Sequence, residues 1–193
     1  MRHICTALFV IATFASAVAQ QTSNTPAASS ASNNANPVTS TVRMIFERQQ
    51  RNLIGAAEAM PADKYTFKPT PQQMTFAHLM AHITESNDFL CSKFGGTAEA
   101  PKSDVKDSDG KDKIVSALKA SFDYCATALR SLDDSKLGET VTLYGGRQLP
   151  RAAALIALTN DFADHYAAAA MYLRLNGILP PSAQHQQQQP RKD

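Results

Sequence analysis

The stretch ALIALTNDFADHYAAAAMYLRLNG, residues 154–177, decides how the fold of this chain is interpreted. Its heptad positions form a stripe that is apolar towards both ends and polar in the middle. The stripe consists of Ala154, Leu158, Asp161, His165, Ala168, Tyr172 and Leu175. We therefore predict a helix whose inward face carries a carboxylate and an imidazole one turn apart. Ionisable groups are costly to bury unless something compensates them, and a bound metal ion is the obvious candidate.

Three other segments also have helical periodicity, and a small hairpin or an irregular turn is predicted before the last helix. Capping and breaking residues give the boundaries. The predicted elements are helix one from a Ser40 or Thr41 cap to Pro61, helix two from Thr75 to the Gly95–Gly96 pair, helix three over 111–132, the hairpin over 141–149, and helix four from Pro150 to Gly177. Four amphipathic helices with so little strand content predict an all-α fold, a four-helix bundle.

Both ends of the chain differ in composition from this middle part. Residues 1–19 combine a positive start, a short apolar run and a small-residue cleavage motif, which is typical of a secretory signal peptide. Residues 20–37 and 182–193 are polar, so we expect a disordered linker and a disordered tail. The folded domain is predicted over residues 38–181.

The composition and motifs exclude several classes of protein. The net charge is only +2 and the basic residues are scattered, so nucleic-acid binding is not indicated. The sequence contains no GxGxxG, P-loop or nucleophile-elbow motif, and it therefore predicts no dinucleotide, phosphate-loop or α/β-hydrolase chemistry. With no second hydrophobic span, we expect a soluble periplasmic or secreted protein that leaves the membrane after signal cleavage.

Three polar residues interrupt the apolar stripes of the predicted bundle. His82 lies on helix two, and Asp161 and His165 share a face of helix four at i, i+4 spacing. Antiparallel packing of these helices could bring His82 level with the other two. Two neutral imidazoles and one carboxylate suit Zn²⁺, Ni²⁺, Fe²⁺ or Mn²⁺ and leave coordination positions open. These three residues are the candidate metal ligands.

A second interpretation of the same residues needs no metal, because the three groups could hydrogen-bond one another in a buried polar cluster. Other candidates are weaker. His78 precedes His82 by one turn, but this HxxxH pair lacks the glutamate of a metalloprotease motif. Glu85 could accept a hydrogen bond behind a ligand, although an exposed position is the simpler expectation.

Three segments occur in an order that has a counterpart in a known family. They are MPADKYTFKPTP at residues 60–71, TFAHLMAHI at residues 75–83, and the region from Asp161 to Pro181. In this order and spacing they resemble the first interhelical loop, the second helix and the last helix of the DinB-like (DinB/YfiT) superfamily. The resemblance extends over about residues 38–182, nearly all of the predicted domain.

The resemblance implies an exported DinB-like protein whose four helices run up-down-down-up, with a long crossover between helices two and three. It also implies a metal site made from one histidine of helix two and two histidines of helix four. His82 and His165 match two of these positions, whereas Asp161 stands where the other histidine is expected. A carboxylate is still a competent ligand, but it changes the charge and the metal preference of the site.

The implied topology also predicts a disulfide bond. If helices two and three run parallel, Cys91 and Cys125 lie at similar heights, with a mismatch of only about 3 Å. A direct antiparallel hairpin would separate them by roughly 20 Å. Since exported proteins retain disulfides, we predict a Cys91–Cys125 bond, and two buried free thiols are the alternative.

Two functional hypotheses follow. In the first, a divalent metal held by His82, Asp161 and His165 activates a water or a thiol that attacks a small-molecule substrate. Characterised members of the superfamily include metal-dependent thiol transferases, isomerases and hydrolases, and hydrolysis is the easier variant outside the cytoplasm. In the second, the protein is a non-catalytic bundle that binds a small ligand or another protein. A homodimer through an outer helix face is compatible with either hypothesis.

Overall fold

The computed structural model describes residues 35–95, 100–101 and 103–188. Most of these residues lie in four long helices, α1 (Pro37–Ala59), α2 (Phe76–Cys91), α3 (Lys111–Ser131) and α4 (Arg151–Leu175). Between α3 and α4 are two short antiparallel strands, and a last helix follows α4; these elements are β1 (Thr140–Thr142), β2 (Gln148–Pro150) and α5 (Pro181–Gln188). The predicted all-α bundle is confirmed, and of the two alternatives predicted before helix four the structure contains the hairpin.

Helix α1 begins earlier than the sequence predicts. Its first residue is Pro37 rather than a residue after the predicted Ser40 or Thr41 cap. Proline is favoured in the first helical turn because its missing N–H would have no partner there. The next two N–H groups are capped from outside the helix, since the carboxylate of Asp134 accepts both of them at 2.9 and 2.8 Å.

Helix α5 occupies part of the predicted disordered tail, so the structure differs from the prediction at these residues. Pro181 begins the helix and packs on α1, where a Cβ atom added to Gly55 would lie 3.1 Å from the proline ring. The hydroxyl of Tyr166 accepts a hydrogen bond from the N–H of Ser182 at 2.8 Å. The predicted signal peptide, nearly all of the predicted linker and the last residues of the predicted tail lie outside the described residues.

Helices α2 and α3 run parallel, as their contacts show. The side-chain amide of Asn87 donates a hydrogen bond to the hydroxyl of Ser121 at 3.0 Å. One turn further along both helices, Cys91 and Cys125 form a disulfide with Cα atoms 5.2 Å apart. A step of four residues along α2 thus corresponds to a step of four residues in the same direction along α3. Because the two helices run in the same direction, the chain between them must cross from one end of the bundle to the other. The structure contains the predicted cysteine pair.

Helices α2 and α4 are antiparallel. Phe76 near the start of α2 contacts Tyr172 near the end of α4, with 6.0 Å between the ring centroids. Further along α2, His82 faces His165, which lies earlier in α4, and their ring centroids are 4.9 Å apart. This pairing brings the candidate ligands of the two helices to the same height in the bundle.

Helices α1 and α3 are also antiparallel. Arg43 near the start of α1 donates a hydrogen bond to the carbonyl of Leu129 at 3.0 Å. At the other end of α1, Glu58 forms a 2.6 Å ion pair with Lys119 of α3. Together with the α2–α3 and α2–α4 contacts, these directions agree with the predicted up-down-down-up order.

Three phenylalanines from three different helices form the centre of the core. Phe46 of α1, Phe122 of α3 and Phe162 of α4 have ring centroids 5.5–5.9 Å apart. Complete burial of a phenylalanine side chain stabilises a fold by about 1.5–3 kcal/mol. The apolar residues thus converge on one interior, and no helix among the described residues is both long and apolar enough to cross a membrane.

The hairpin between α3 and α4 folds back against α2. Its turn contains Gly145 and Gly146 with φ of 66° and 75°, a conformation that glycine adopts without strain. Tyr144, immediately before them, stacks its ring on Phe89 of α2 with 4.4 Å between the centroids. The stack places a tyrosine from a loop beside the part of α2 that carries His82.

Arg151, the first residue of α4, connects the start of this helix to the end of α2. Its Nε donates a hydrogen bond to the carbonyl of Lys93 at 2.9 Å, and its guanidinium pairs with Glu139 at 2.7 Å. A Cβ atom at Gly95 would lie 3.3 Å from this guanidinium, so a side chain there would crowd the arginine. The arginine therefore fixes where α4 begins relative to α2.

One carboxylate is buried near the end of α2. Asp88 exposes 9 % of its surface, and its Oδ1 atom has no hydrogen-bond partner among the described residues. Burial raises the pKa of Asp88 from 3.8 to about 6; a hydrogen bond from the backbone of Ser103 opposes this rise, and the charge of Glu85 adds to it. An ionised Asp88 is therefore unfavourable in the folded protein.

The replacement Asp88→Asn is expected to stabilise the protein at neutral pH. Because the pKa of Asp88 is raised on folding, the folded state still holds a proton where the unfolded chain has released it, between about pH 4 and pH 6. Stability contributed by this group therefore falls as the pH rises through that window. The variant should gain up to about 3 kcal/mol of unfolding free energy at pH 7 and almost nothing at pH 4. Urea unfolding at both pH values measures the difference.

The matched control is Asp123→Asn, which changes an exposed carboxylate on α3. Its effect on the unfolding free energy should stay within about 0.5 kcal/mol at either pH. Equal gains for Asp88→Asn at both pH values would contradict the assignment of a buried ionised carboxylate.

Candidate metal centre

Three polar side chains from two helices lie together beside the core. His82 belongs to α2, Asp161 and His165 belong to α4, and one possible ligand atom from each lies within 4.8 Å of the other two. Within the described part of the chain, no other group of three or more histidine, cysteine, aspartate or glutamate side chains has this spacing. The three predicted ligands are therefore close neighbours in the folded protein.

The start of α2 is fixed firmly, which determines where His82 lies. The hydroxyl of Thr75 caps the helix by accepting a hydrogen bond from the N–H of His78 at 3.0 Å. The carbonyl of Tyr65 in the preceding loop accepts a hydrogen bond from the N–H of Ala77 at 2.8 Å. With its first turn held from both sides, α2 presents His82 to α4 in its second turn.

Asp161 and His165 lie at the edge of the buried face of α4, not at its centre as the heptad count predicts. Their side chains are 17 % and 16 % exposed, whereas Phe162 is completely buried. A straight α-helix has 3.6 residues per turn, so a seven-residue repeat drifts by about 20° per heptad. The heptad stripe is therefore only an approximate guide to the buried face of α4: Tyr172 on this stripe is 2 % exposed, whereas Leu175 at its end is 57 % exposed.

The imidazole of His165 is oriented by the backbone of its own helix. Its Nδ1 atom lies 2.6 Å from the carbonyl oxygen of Asp161, one turn earlier. A carbonyl can only accept a hydrogen bond, so Nδ1 carries the hydrogen and Nε2 of the neutral ring keeps its lone pair. Histidine ligands commonly have this arrangement, in which one nitrogen is held by an acceptor and the other is free for a metal.

The carboxylate of Asp161 has a buried oxygen that lacks a partner. Its Oδ2 atom lies 3.4 Å from Nδ1 of His165 but makes no hydrogen bond within the described residues. A cation between this oxygen and the two imidazoles would compensate its burial. Two donors on one tetrahedral zinc ion lie about 3.4 Å apart, so the widest separation among the three ligand atoms, up to 4.8 Å, would need to close by about 1.4 Å. The residues present therefore fit a divalent cation.

The pKa of His165 is raised above its usual value of 6.5. The largest cause is the side chain of Asp161, whose Oδ2 atom lies 3.4 Å from Nδ1 and favours the protonated ring, and the negative charge of that carboxylate adds to it; burial of the ring acts in the opposite direction. Because a metal needs the deprotonated ring, a proton competes with the metal for His165 at low pH.

A cleft of about 380 Å³ opens beside these three residues. Its lining is formed by His82, Glu85, Ser86, Phe89, Tyr144 and Asp161. The pKa of the Tyr144 phenol is raised, chiefly by burial and next by the negative charge of Asp161, whereas a hydrogen bond with Ser86 lowers it. The influence of Asp161 shows that Tyr144 lies close to the site. Helical periodicity does not indicate Tyr144, because this residue lies in a loop; its position before two glycines is the signal that the sequence offers.

The weaker candidates lie at the periphery of this centre. His78 is exposed, and its Nδ1 atom lies 3.6 Å from Oδ2 of Asp107 in the crossover segment. It does not join the cluster of three ligands. Glu85 is exposed at the rim of the cleft, as the simpler expectation had it.

Fold and site together define a class of protein, a four-helix bundle with a His-Asp-His set between its second and fourth helices. A sequence model of the DinB superfamily matches residues 45–169, which is more than half of the chain. The chain therefore belongs to the DinB superfamily, as the resemblance predicted.

Solved structures of several proteins have a similar fold. A DinB-like protein from Bacillus cereus ATCC 10987 is 15 % identical with a TM-score of 0.62, and the match covers 74 % of this chain and 95 % of that protein. A DinB-like protein from Bacillus subtilis is 16 % identical with a TM-score of 0.56, and the match covers 71 % of this chain and 92 % of that protein. At such identities the likeness shows the fold alone.

A mycothiol-dependent maleylpyruvate isomerase is also similar, at 13 % identity with a TM-score of 0.55. The match covers 67 % of this chain but 59 % of the isomerase, so a large part of that enzyme has no counterpart here. No curated protein matches the sequence.

The replacement Asp161→Asn is expected to lower the pKa of His165 in metal-free protein. The raised pKa depends chiefly on the Asp161 carboxylate, so a neutral amide should return it towards 6.5. A histidine with a raised pKa stabilises the fold fully below pH 6.5, and this contribution disappears as the pH rises through the folded pKa. The variant should therefore lose stability at acidic pH. Proton NMR titration of the imidazole measures the pKa directly.

The adjacent Asp164→Asn provides the control for this titration. Asp164 is exposed and makes the smallest of the contributions that raise the pKa of His165. The control should therefore shift the titration much less than Asp161→Asn. Equal shifts in the two variants would show that Asp161 has no special contact with His165.

Proposed function

We propose that this protein is a metal-dependent hydrolase whose divalent cation is held by His82, Asp161 and His165. The observation that carries the proposal is the buried, unpartnered Oδ2 of Asp161 beside two imidazoles at the base of an open cleft. A polar cluster satisfied by its own hydrogen bonds would leave no such oxygen. The cation would supply Lewis acidity and lower the pKa of a water or thiol at neutral pH.

The donor set supports a borderline divalent metal. Two imidazole nitrogens and one carboxylate oxygen are suitable ligands for Zn²⁺, Ni²⁺, Fe²⁺ or Mn²⁺, and three protein ligands leave room for substrate. Ca²⁺ and Mg²⁺ prefer oxygen ligands and fit this set less well. Asp161 and the nearby Glu85 together balance the two positive charges of such an ion.

The remaining side chains of the cleft have roles that suit hydrolysis. Glu85 at the rim accepts the proton of the attacking water as a general base. Tyr144 donates a hydrogen bond from its phenol to the substrate oxygen on which negative charge develops. The stacked rings of Phe89 and Tyr144 form an apolar wall that limits access of bulk water. In an ester or amide, the water oxygen would bond to the carbonyl carbon, the bond from that carbon to the leaving oxygen or nitrogen would break, and the proton taken up by Glu85 would pass to the leaving group.

Export favours water over a thiol as the nucleophile. We infer export from the predicted signal peptide, and the Cys91–Cys125 disulfide is compatible with an oxidising compartment. Thiol transfer is the second candidate, because a protein of similar fold is described as a mycothiol-dependent isomerase. That similarity concerns the fold, so it supports this candidate only weakly.

Purified protein is expected to hold about one equivalent of a divalent metal, and His165→Ala should lose it. Removing a direct ligand should weaken binding by at least about 100-fold, since even residues behind the ligands typically contribute 10–100-fold. Elemental analysis by mass spectrometry after dialysis, followed by zinc titration of the apo protein, measures both quantities. His82→Ala should behave in the same way.

The control for metal binding is His78→Ala, which removes the exposed histidine one turn before His82 on the same helix. It should retain the metal with unchanged affinity. Metal-free protein that also fails to bind added Zn²⁺, with His165→Ala as stable as the parent, would favour a non-catalytic binding bundle with a structural polar cluster.

The metal-loaded protein is expected to hydrolyse a p-nitrophenyl ester, and Glu85→Gln should slow this reaction by about 10²–10⁴-fold without loss of metal. The amide keeps the size of the side chain but cannot accept the proton. Initial rates with p-nitrophenyl acetate, alongside metal content, measure the effect. Glu58→Gln, a half-exposed carboxylate on α1, is the control. An unchanged rate in Glu85→Gln would exclude Glu85 as the base.

A further inference from the structure

A second cleft adjoins the one beside the candidate metal centre, which we call the metal-site cleft. It has a volume of about 220 Å³ and lies between α2 and the crossover segment, so we call it the crossover cleft. His82 and Glu85 line both clefts. The rest of the crossover cleft is lined by His78, Ala81, Val105, Lys106 and Asp107. A molecule that occupies both spaces therefore passes directly over His82 and Glu85.

The crossover cleft has an apolar floor and the size of a small group. Ala81 of α2 and Val105 of the crossover are 6 % and 5 % exposed, so these two side chains hold the crossover against the helix. The N–H of Lys106 donates a hydrogen bond to Oδ2 of Asp109 at 2.8 Å, which fixes the backbone at the rim. A space of 220 Å³ holds about seven water-sized atoms, enough for a group as large as alanine.

One charged group of the crossover cleft is left for a ligand. Asp107 is occupied by His78, whose Nδ1 atom lies 3.6 Å from its Oδ2 atom. Lys106 is exposed and forms no ion pair within the described residues, and Asp109, the nearest acid that it contacts, already pairs with Lys113 at 3.0 Å. Glu85 lies where the two clefts meet. The cleft thus has a carboxylate at its metal end and an ammonium at its crossover end.

The roles proposed for Tyr144 and Glu85 decide which part of a substrate lies in each cleft. Tyr144, the donor to the substrate oxygen, lines the metal-site cleft but not the crossover cleft, so the acyl group belongs in the former. Glu85 lines both, and the proton that it takes from water on one side can pass to a leaving atom on the other. The crossover cleft therefore receives the leaving group.

We propose that the crossover cleft is the leaving-group subsite and that it selects amides whose amine carries a carboxylate, the N-acyl derivatives of small amino acids. Lys106 binds the carboxylate, and the scissile nitrogen lies beside Glu85. Water oxygen bonds to the carbonyl carbon, the carbon–nitrogen bond breaks, and the nitrogen takes the proton from Glu85 and leaves as the free amino acid. This substrate class rests on the proposed hydrolase function, whereas the carboxylate subsite can be tested without it.

The first test is the binding of N-acetylalanine to the full chain after removal of metal by EDTA, so that its carboxylate cannot coordinate an ion. N-acetylalaninamide, which has nearly the same shape and no charge, is the counterpart. Ligand-observed NMR at pH 7.5 and the amide chemical shifts of residues near Val105 follow the binding. We expect the acid to bind at least about threefold more tightly than the amide, the effect of one partly exposed ion pair.

The variant Lys106→Gln removes the charge of an exposed side chain, so it should fold like the parent. We expect it to bind N-acetylalanine at least about threefold more weakly than the parent does. The matched control is Lys68→Gln, which removes an exposed lysine of the loop before α2 that lines neither cleft. It should bind N-acetylalanine with the affinity of the parent.

The second test is the release of alanine from N-acetylalanine by the metal-loaded protein. Its KM should be at least about threefold below the KM for N-acetylalaninamide. Lys106→Gln should raise the KM for N-acetylalanine by the same factor and leave kcat nearly unchanged, because Lys106 holds the carboxylate and takes no part in the proton transfer. Hydrolysis of p-nitrophenyl acetate in the same samples tests the proposed function separately, since this ester has no carboxylate.

The proposal would be overturned if N-acetylalanine showed no saturable binding, if the acid and the amide bound equally, or if Lys106→Gln bound the acid as tightly as the parent. Equal KM values for the acid and the amide in a protein that hydrolyses p-nitrophenyl acetate would also overturn it. Carboxylate-dependent binding in a protein without hydrolytic activity would support the subsite and contradict only the hydrolase function.

Discussion

Helix α2 must pack against two partners that run in opposite directions, and the rest of the structure depends on this constraint. One of its faces follows α3 in parallel, where Asn87 and Cys91 make hydrogen-bonded and covalent contacts. Another face meets α4 in antiparallel orientation, where Phe76 and His82 find their partners. A rotation or shift of α2 that improved one set of contacts would break the other, so its position is determined on both sides.

This double constraint explains how a polar centre can exist beside an apolar core. His82 approaches Asp161 and His165 because α2 is fixed by residues that take no part in the site. Side chains at the edge of the core are largely shielded from water, so electrostatic interactions between them are strong, and they are still accessible from a cleft. The same helix carries Glu85 at the rim of the cleft beside these three residues, so one element serves both the bundle and the candidate metal centre.

Much of this arrangement could be predicted from the sequence because it depends on local patterns. The start of α2 and both bounds of α4 follow from Thr75, Pro150 and Gly177, which are capping and breaking residues with clear physical roles. The three candidate ligands interrupt otherwise apolar stripes and were therefore visible. The pairing of Cys91 with Cys125 could be predicted only from the parallel direction of helices two and three. That direction was implied by the resemblance to a family and not by the spacing of the cysteines.

The features that the sequence did not predict depend on contacts between distant residues. Pro181 begins a helix because it packs on Gly55, far away in the chain. Asp161 lies at the edge of the core because a real helix does not follow the heptad count, and the correct face becomes clear once Phe162 is seen beside Phe46 and Phe122. Tyr144 reaches the site because its ring stacks on Phe89, and helical periodicity does not predict such a contact from a loop.

The disulfide has a consequence for how this scaffold can change. Cys91 and Cys125 are 34 positions apart in the sequence, and their bond makes the connection between α2 and α3 part of a closed covalent ring. Doubling the length of a flexible connection costs only about 0.6 kcal/mol, and the ring keeps the two helices together whatever that length is. Insertions here could therefore reshape the space around Asp88 while His82 keeps its place. The crossover is the segment through which evolution or engineering could give this bundle new ligand preferences without rebuilding its interior.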